Sequence, residues 1–372
     1  VKITSIARIS SVALASALAL SACGSETSGS DNSSSKSGGG SSSECGTKAL
    51  KAEGSTAQDN AIQEAINSYG ENCSDATVTY NGTGSGNGIK QFIAKQVDFA
   101  GSDSALKTKP KDGKIEVDEA KKACASDAWN IPMVTGPIAV SYNLKDVKDP
   151  ITLTPAVLAD IFNGKITKWN DPAIAKINSG VKLPAKDIKV FFRSDESGTT
   201  ENFTKYLNGA AKDKWTAEPA KKWTGKGEGK AKTAGVASAV KSTDGGITYA
   251  EWSAAQDNGL QVAKIDNGAG AVELTGESAG KAVEAAKIDG KGNDLRLKLD
   301  YTTKEKGTYP IVLVTYEIVC SKYSDAEKGK SVKAFLNHFA SEDVQKGLEE
   351  QGYAPLPTSV QEKVKTAVNA IK

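Results

Sequence analysis

The sequence predicts an α/β protein of two lobes, each a mainly parallel sheet flanked by helices. Three observations lead there. A strand pattern gives way to a polar, glycine-rich turn three times, near Gly54, Gly82 and Gly101, twice with a helical pattern behind it. A longer apolar run over residues 131–143 is interrupted by Gly136-Pro137, as a strand crossing between two lobes would be. Finally, 372 residues that are 38% apolar and 25% charged suffice for two ordinary domains with large cores.

Residues 48–52 read as the first strand, Gly54-Ser55-Thr56 as its turn, and Ile62, Ala65, Ile66 and Tyr69 as the apolar face of a helix. Residues 77–80 alternate as a second strand and run into the glycine-rich stretch 81–88, behind which Ile89, Phe92, Ile93 and Val97 recur at helical spacing. A third strand over residues 97–101 ends at Ser102-Asp103. Beyond the crossing strand, residues 155–162 and the segment from Ala173 are helical, and residues 188–192 form a strand feeding a turn at Arg193. Phe203, Tyr206 and Leu207 place a helix directly after that turn, and Gly245-Gly246 opens another strand-helix step. Residues 261–306 are glycine-rich and charged, without a clear period. Residues 310–320 read as a buried strand returning to the first lobe, and helices around 332–339 and 360–371 close the chain. The expected lobes are residues 46–134 with 312–372, and residues 135–311.

The start carries Lys2 and Arg8, a nine-residue apolar run from Val12, then Leu20-Ser21-Ala22-Cys23. That is a basic region, a short hydrophobic region and a small-residue cleavage site, too short to remain as a membrane span. It resembles a bacterial lipoprotein signal over residues 1–22, with Cys23 acylated and the product anchored outside the cytoplasmic membrane. Residues 23–45 are almost wholly Ser, Gly and small polar residues, a disordered tether with a reach of roughly 25 Å. Export explains the other cysteines. Cys45, Cys73, Cys124 and Cys320 make an even set in an oxidising compartment, with three possible pairings. Cys45 with Cys73, flanking one strand-helix unit, and Cys124 with Cys320, tying two strands, are the favoured pairs; no close C-x-x-C spacing suggests a metal knuckle instead. The formal charge is +2, and losing Lys2 and Arg8 leaves the remainder about neutral, so bulk charge does not attract a ligand. No basic block with interleaved aromatics points to nucleic acid.

Arg193-Ser194-Asp195-Glu196-Ser197-Gly198-Thr199-Thr200 brings a guanidinium, hydroxyls and a glycine together where a helix begins. The first amides of a helix lack internal partners, so this stretch reads as a socket for a small oxyanion, with Asp195 orienting Arg193. Ser85, set among glycines, supplies a hydroxyl and nearby amides at another helix start. Residues 82–88 match neither a dinucleotide fingerprint nor a P-loop. Asp103 is the odd member, because a carboxylate beside an anion repels it unless the anion carries a proton. Phosphate does so at neutral pH and sulfate does not, a mismatch able to give roughly 10⁴-fold discrimination. Gly276-Glu277-Ser278-Ala279-Gly280 matches a nucleophile elbow, so an extracellular serine hydrolase or phosphatase using Ser278 or Ser197 is the enzymatic alternative. No buried strand precedes Gly276, and the single histidine, His338, lies in a helical pattern between Leu336 and Phe339.

These pieces together resemble the phosphate-binding proteins of bacterial high-affinity phosphate ABC transporters, across nearly all of residues 50–371. The pattern runs Gly54-Ser55-Thr56, Gly82-Thr83-Gly84-Ser85-Gly86, residues 98–103, Gly164-Lys165-Ile166 with Trp169 and Asp171-Pro172, residues 193–199, and Tyr353-Ala354-Pro355-Leu356-Pro357. The resemblance implies a two-lobed periplasmic-binding-protein type II fold with the ligand in the interlobe cleft. It further implies a monomer without cofactor, metal or catalytic residues, serving membrane permease subunits. By position, Thr56, Ala57, Ser85, Asp103, Arg193, Ser197, Gly198 and Thr199 fall on the family's phosphate contacts. Ala57 stands where relatives often have phenylalanine, a place where a backbone N–H serves. A surface adhesin or sensor on the same fold is the non-transport alternative.

Overall fold

The strand Ala128–Tyr142 is the spine of the fold, 15 residues of which only Trp129 is not fully buried. Burial on both faces explains its continuous apolar sequence. It changes partner midway. From Ala128 to Pro137 it runs antiparallel to Val312–Cys320, and from Ile138 to Tyr142 antiparallel to Gly246–Glu251. Gly136 lies at this exchange because a Cβ there would sit 2.8 Å from Leu313 Cδ1. The Gly136-Pro137 interruption therefore marks a change of neighbour within an unbroken strand. The computed structural model describes residues 45–110 and 113–372, so the expected signal, Cys23 and nearly all of the tether lie outside the described residues.

On one side of the spine the order continues through Val312–Cys320 to Phe99–Ser102, Leu50–Gly54 and Val78–Gly82. The last three are mutually parallel. On the other side it continues through Gly246–Glu251 to Lys189–Arg193 and Glu228–Lys230, again mutually parallel, while Gln261–Val262 also pairs with the spine. The sheet is thus parallel at both wings and antiparallel at the two long central strands. Each wing has its own core. The helices Asp59–Asn72, Ala326–Phe339, Glu342–Glu350 and Thr358–Asn369 cover the first wing, where Phe335 lies 5.5 Å from Tyr69 and 5.8 Å from Phe99, ring to ring. In the second, Phe203 stacks on Tyr249 at 4.6 Å and meets Phe162 edge-on at 4.9 Å, beneath the helices Pro155–Phe162 and Gly198–Ala210.

Several elements differ from the sequence reading. The helix Ser85–Ile93 stops short of Val97, because Lys95 takes φ 56°, and the third strand starts only at Phe99. Glu116–Cys124, Lys232–Ser242 and Glu342–Glu350 are helices that periodicity did not signal; the last buries only Val344, Gln345 and Leu348. Residues 261–306 hold two- and three-residue strands and one helix, Gly276–Glu284, too short for a period to emerge. No described helix is long and apolar enough to cross a membrane.

Both favoured disulfides are present, Cys45–Cys73 with Cα atoms 5.6 Å apart and Cys124–Cys320 at 5.4 Å. Cys124 ends the helix Glu116–Cys124, so the second bridge ties a helix to a strand rather than two strands. The bridges span 28 and 196 residues of sequence. Constraint of the unfolded chain therefore makes the second the stronger, by roughly 5 against 4 kcal/mol in the chain-entropy limit. Replacing Cys124 and Cys320 with serine should lower unfolding free energy in urea more than replacing Cys45 and Cys73; the reverse order would show that strain or residual structure dominates.

Candidate ligand-binding site

All the parallel strands of both wings end facing one region, and their carboxyl ends supply its side chains. Gly54 closes its strand at φ 147°, where a Cβ would lie 1.9 Å from the Gly101 carbonyl oxygen, so the two strands finish side by side. The next residue, Ser55, then reaches Asp103 just beyond Phe99–Ser102. Asp103 Oδ1 accepts from the Ser55 hydroxyl and, at 2.8 Å, from Thr315. Its Oδ2 accepts from Ser85 at 3.0 Å. Ser85 opens the helix Ser85–Ile93 behind Gly84, whose φ of 94° admits the tight entry. Asp103 is only 3% exposed. Burial pushes its carboxyl up to about 6; the Ser55, Thr315 and Ser85 hydroxyls oppose that rise and the charge of Glu251 adds to it.

The second wing contributes the cation. Arg193 ends the strand Lys189–Arg193 and is 2% exposed. Its Nε and Nη2 donate to the two oxygens of Asp195 at 2.7 and 2.5 Å, a fork-to-fork pair, and Nη1 donates to Thr233 Oγ1 at 3.1 Å. Burial alone would raise the Asp195 carboxyl, but the Arg193 guanidinium outweighs it and holds the group below its ordinary range. Ser197 caps the helix Gly198–Ala210, accepting from the Thr200 N–H at 3.2 Å. Thr199 donates its hydroxyl to Glu251 Oε1, and Thr233 donates to Oε2 at 2.8 Å.

The two wings meet here. A Cβ on Gly198 would stand 2.5 Å from Ser85 Oγ and 2.6 Å from Asp103 Oδ2, so only glycine lets the second helix start approach Asp103 this closely. Thr56 Oγ1 lies 2.7 Å from Thr233 Oγ1. Asn202 Nδ2 donates to the Asp103 carbonyl at 2.6 Å, and Gly86 N–H donates to the Glu196 carbonyl at 3.0 Å. Lys107 reaches across to Glu201, which is 1% exposed and also faces Lys205 and Lys221.

Of the residues singled out in the sequence, Thr56, Ser85 and Asp103 come from one wing and Arg193, Asp195, Ser197, Gly198 and Thr199 from the other, and all stand around this junction. Ala57 is beside them, its N–H donating to Ser55 Oγ at 2.9 Å and its carbonyl accepting from Tyr353 at 2.9 Å. Sequence reasoning missed Thr233, Thr315, Asn202 and Glu251. Only Glu251 left a trace, as a carboxylate ending the otherwise uncharged strand Gly246–Glu251. Ser278 is no nucleophile elbow: it lies in a capping box at the start of Gly276–Glu284, donating to the Glu273 carbonyl at 2.8 Å. His338 pairs instead with Ser68 at 2.8 Å and packs on Tyr69.

The PBP superfamily domain matches residues 32–343 of the chain. The chain is 46% identical over 369 residues, 97% of each protein, to phosphate-binding protein PstS2 of Mycobacterium bovis. It is 46% identical over 373 residues, again 97% of each, to phosphate-binding protein PstS 3 of Mycobacterium tuberculosis. Phosphate-binding protein PstS of Haemophilus influenzae is 36% identical over 78% of this chain and 83% of its own. Among solved structures, a high-affinity periplasmic phosphate-binding protein bound with phosphate superposes with a TM-score of 0.70 at 22% identity, covering 86% of this chain and 93% of that one. A likeness at that identity concerns the fold.

Behind Asp103 lies a second buried carboxyl. Glu317 alternates with Thr315 on the same face of Val312–Cys320, is 0% exposed, and has no hydrogen-bond partner for either oxygen among the described residues. Burial pushes it up to about 8, opposed by the neighbouring Gln58 amide and reinforced by Asp103. Its folded-state pKa is thus raised above its ordinary value, so the folded form binds the proton more tightly. That contribution to stability is fully present below pH 4.5 and is lost as pH rises through about 8. Between pH 6 and 9 the loss should be roughly 3 kcal/mol. Urea unfolding at both pH values should show this decline in the unsubstituted protein and little of it in Glu317→Gln; equal declines would remove Glu317 as the cause.

Proposed function

From a chain that belongs to the PBP superfamily, and within it to the phosphate-binding proteins, we propose that it captures inorganic phosphate outside the cytoplasmic membrane and delivers it to the permease of an ABC transporter. The observation that carries this reading is the meeting of a buried carboxylate, Asp103, and a buried guanidinium, Arg193, from opposite wings beside two helix starts. A tetrahedral oxyanion with a proton answers every group there. Its charged oxygens take the Nη hydrogens of Arg193 that Asp195 and Thr233 leave over, with the amides at the starts of Ser85–Ile93 and Gly198–Ala210, and its hydroxyl donates to Asp103. Thr56, Ala57, Ser85, Ser197, Gly198 and Thr199 complete the contacts.

In this reading residues 46–134 with 312–372 form the first lobe and residues 135–311 the second. The ligand bridges them, so occupancy favours the closed arrangement, and the permease recognises that arrangement. The exchange of partner at Pro137 in Ala128–Tyr142, together with the chain's entry into Val312–Cys320 beside it, is the proposed hinge. Cys23 carries the lipid that holds the protein at the outer face of the membrane, supported by the Leu20-Ser21-Ala22-Cys23 pattern. The protein holds phosphate without turning it over. A hydrolase loses its support with the placement of Ser278 inside a helix cap.

Charge-assisted hydrogen bonds contribute about 1.5–3 kcal/mol each, so a handful suffice for micromolar binding or better, about −8 kcal/mol. Arg193→Ala should weaken phosphate binding by about 10²-fold or more in calorimetry; retained affinity would place the anion elsewhere. Asp103 supplies a pH test. Above pH 6, about its raised pKa, the carboxylate can only accept, and below it the protonated acid can donate to an unprotonated oxygen. Sulfate affinity should therefore rise as pH falls from 8 to 5. Asp103→Asn, which carries a donor at every pH, should bind sulfate with no such dependence and with a reduced preference for phosphate.

A further inference from the structure

The first turns of Gly198–Ala210 do more than present amides. Glu201 and Asn202, 1% and 2% exposed, both reach the segment that leaves Phe99–Ser102 on the opposite wing. Asn202 Nδ2 donates to the Asp103 carbonyl at 2.6 Å, and the Glu201 carboxylate receives the ammonium of Lys107. Resting on the phosphate reading above, we propose that these two contacts are a clasp between the lobes, which holds the closed arrangement and so sets how long phosphate stays bound, while neither touches the ligand.

The Asn202 amide is fixed in the orientation the clasp needs. Its Nδ2 also donates to the Gly198 carbonyl at 2.9 Å, and its Oδ1 accepts from the Tyr301 hydroxyl at 2.6 Å. A rotated amide would set its oxygen against two carbonyls, so the donor stays on Asp103. Tyr301 is itself held by a strap that runs from one wing to the other. Before it, the Leu295 N–H donates to the Asn130 carbonyl at 3.0 Å and Asp294 Oδ1 accepts from the Asn130 side-chain amide at 2.7 Å. The Leu297 N–H donates to the Tyr316 hydroxyl at 3.0 Å. Asn130 and Tyr316 lie on Ala128–Tyr142 and Val312–Cys320 where these strands pair within the first wing. After Tyr301, the Thr303 carbonyl accepts from Asn267 at 3.1 Å, on the second wing. Asn202 therefore leaves its own wing to be gripped by the Asp103 carbonyl and by a hydroxyl whose strap is anchored on the first.

Glu201 explains how such a clasp can release. Besides Lys107, its carboxylate faces Lys205 at 3.1 Å and Lys221 at 3.3 Å, both on its own wing. Burial alone would raise the Glu201 carboxyl, but the three ammonium groups outweigh it and hold the group well below its ordinary range. When the wings part, Glu201 loses Lys107 and keeps two partners. A buried carboxylate with a single partner would be stranded by the same motion, and the closed form would be locked. Lys107, whose side chain is 37% exposed, passes into water. Both contacts thus favour the closed state alone, and a contact of that kind slows release rather than speeding capture.

Calorimetry and stopped-flow kinetics with inorganic phosphate test the clasp. Asn202→Leu and Lys107→Met, each removing one contact, should speed release about three- to tenfold and raise Kd by a similar factor, with the association rate within about twofold of the unsubstituted protein. Tyr301→Phe, which unties the amide without removing it, should have a smaller effect in the same direction, and Lys107→Arg should restore the release rate. A merely structural role would instead lower the number of sites per chain and leave release from the remaining sites unchanged. That result overturns the proposal, as does unaltered release in Lys107→Met, which decides the matter even if Asn202→Leu does not fold. Either outcome leaves the phosphate reading standing. Failure of the unsubstituted protein to bind phosphate at all removes that reading, and the proposal with it.

Discussion

The rest of the structure depends on a steric allowance at one residue. Gly198 lets the start of Gly198–Ala210 come within 2.6 Å, measured from an added Cβ, of the Asp103 carboxylate on the opposite wing. With any side chain there the wings stand further apart, and the contacts from Thr56 to Thr233 and from Asn202 to Asp103 are lost with them. Because the two wings share the strand Ala128–Tyr142, a change of separation at the junction would be taken up as a bend where that strand exchanges partner. In the proposed reading the site and the hinge are thus two ends of one mechanical element.

Inside that junction the balance of donors and acceptors matters more than net charge. The chain is close to neutral, and the single guanidinium at the junction is already matched by Asp195. In the proposed reading the helix-start amides, which carry no formal charge and need no counter-ion, do most to recognise an anion. Around them sit two carboxyls whose burial favours the proton, Asp103 at the junction and Glu317 behind it. An arrangement of this kind discriminates by hydrogen count, since an acceptor facing an acceptor in a dry site goes unpaired. It also stores instability, because a buried acid such as Glu317, next to Asp103 and offset by no cation among the described residues, favours the protonated form.

Legibility followed from the range of the interactions involved. The start of Ser85–Ile93, the stretch from Arg193 to Thr200 and the bidentate Arg193–Asp195 pair are local in sequence, and each could be read from residue type and spacing. Glu251, Thr233 and Thr315 could not, because each matters only through a partner tens to hundreds of positions away; Thr315 and Asp103 are 212 residues apart. The resemblance to a family narrowed the ligand, but it named contacts to the ligand and not the groups that hold those contacts in place. The elbow pattern around Ser278 shows the converse: a local match whose tertiary setting, a capped surface helix, gives it no chemistry.

By itself the sequence determined the alternation of strand, turn and helix, the helix starts that present amides, the pairing capacity of the cysteines and Arg193 as the cation at the second helix start. Those depend on periodicity and on backbone chemistry within a few residues, where the chain's own order is the geometry. Only the tertiary structure decided that the wings share one continuous sheet, that Cys124 bridges from a helix, and that Glu251 and Glu317 lie within reach of the cleft. Strand pairing and side-chain facing across a sheet are set by which distant segments pack together, and a hydroxyl has no fixed donor or acceptor character until its neighbour is in place.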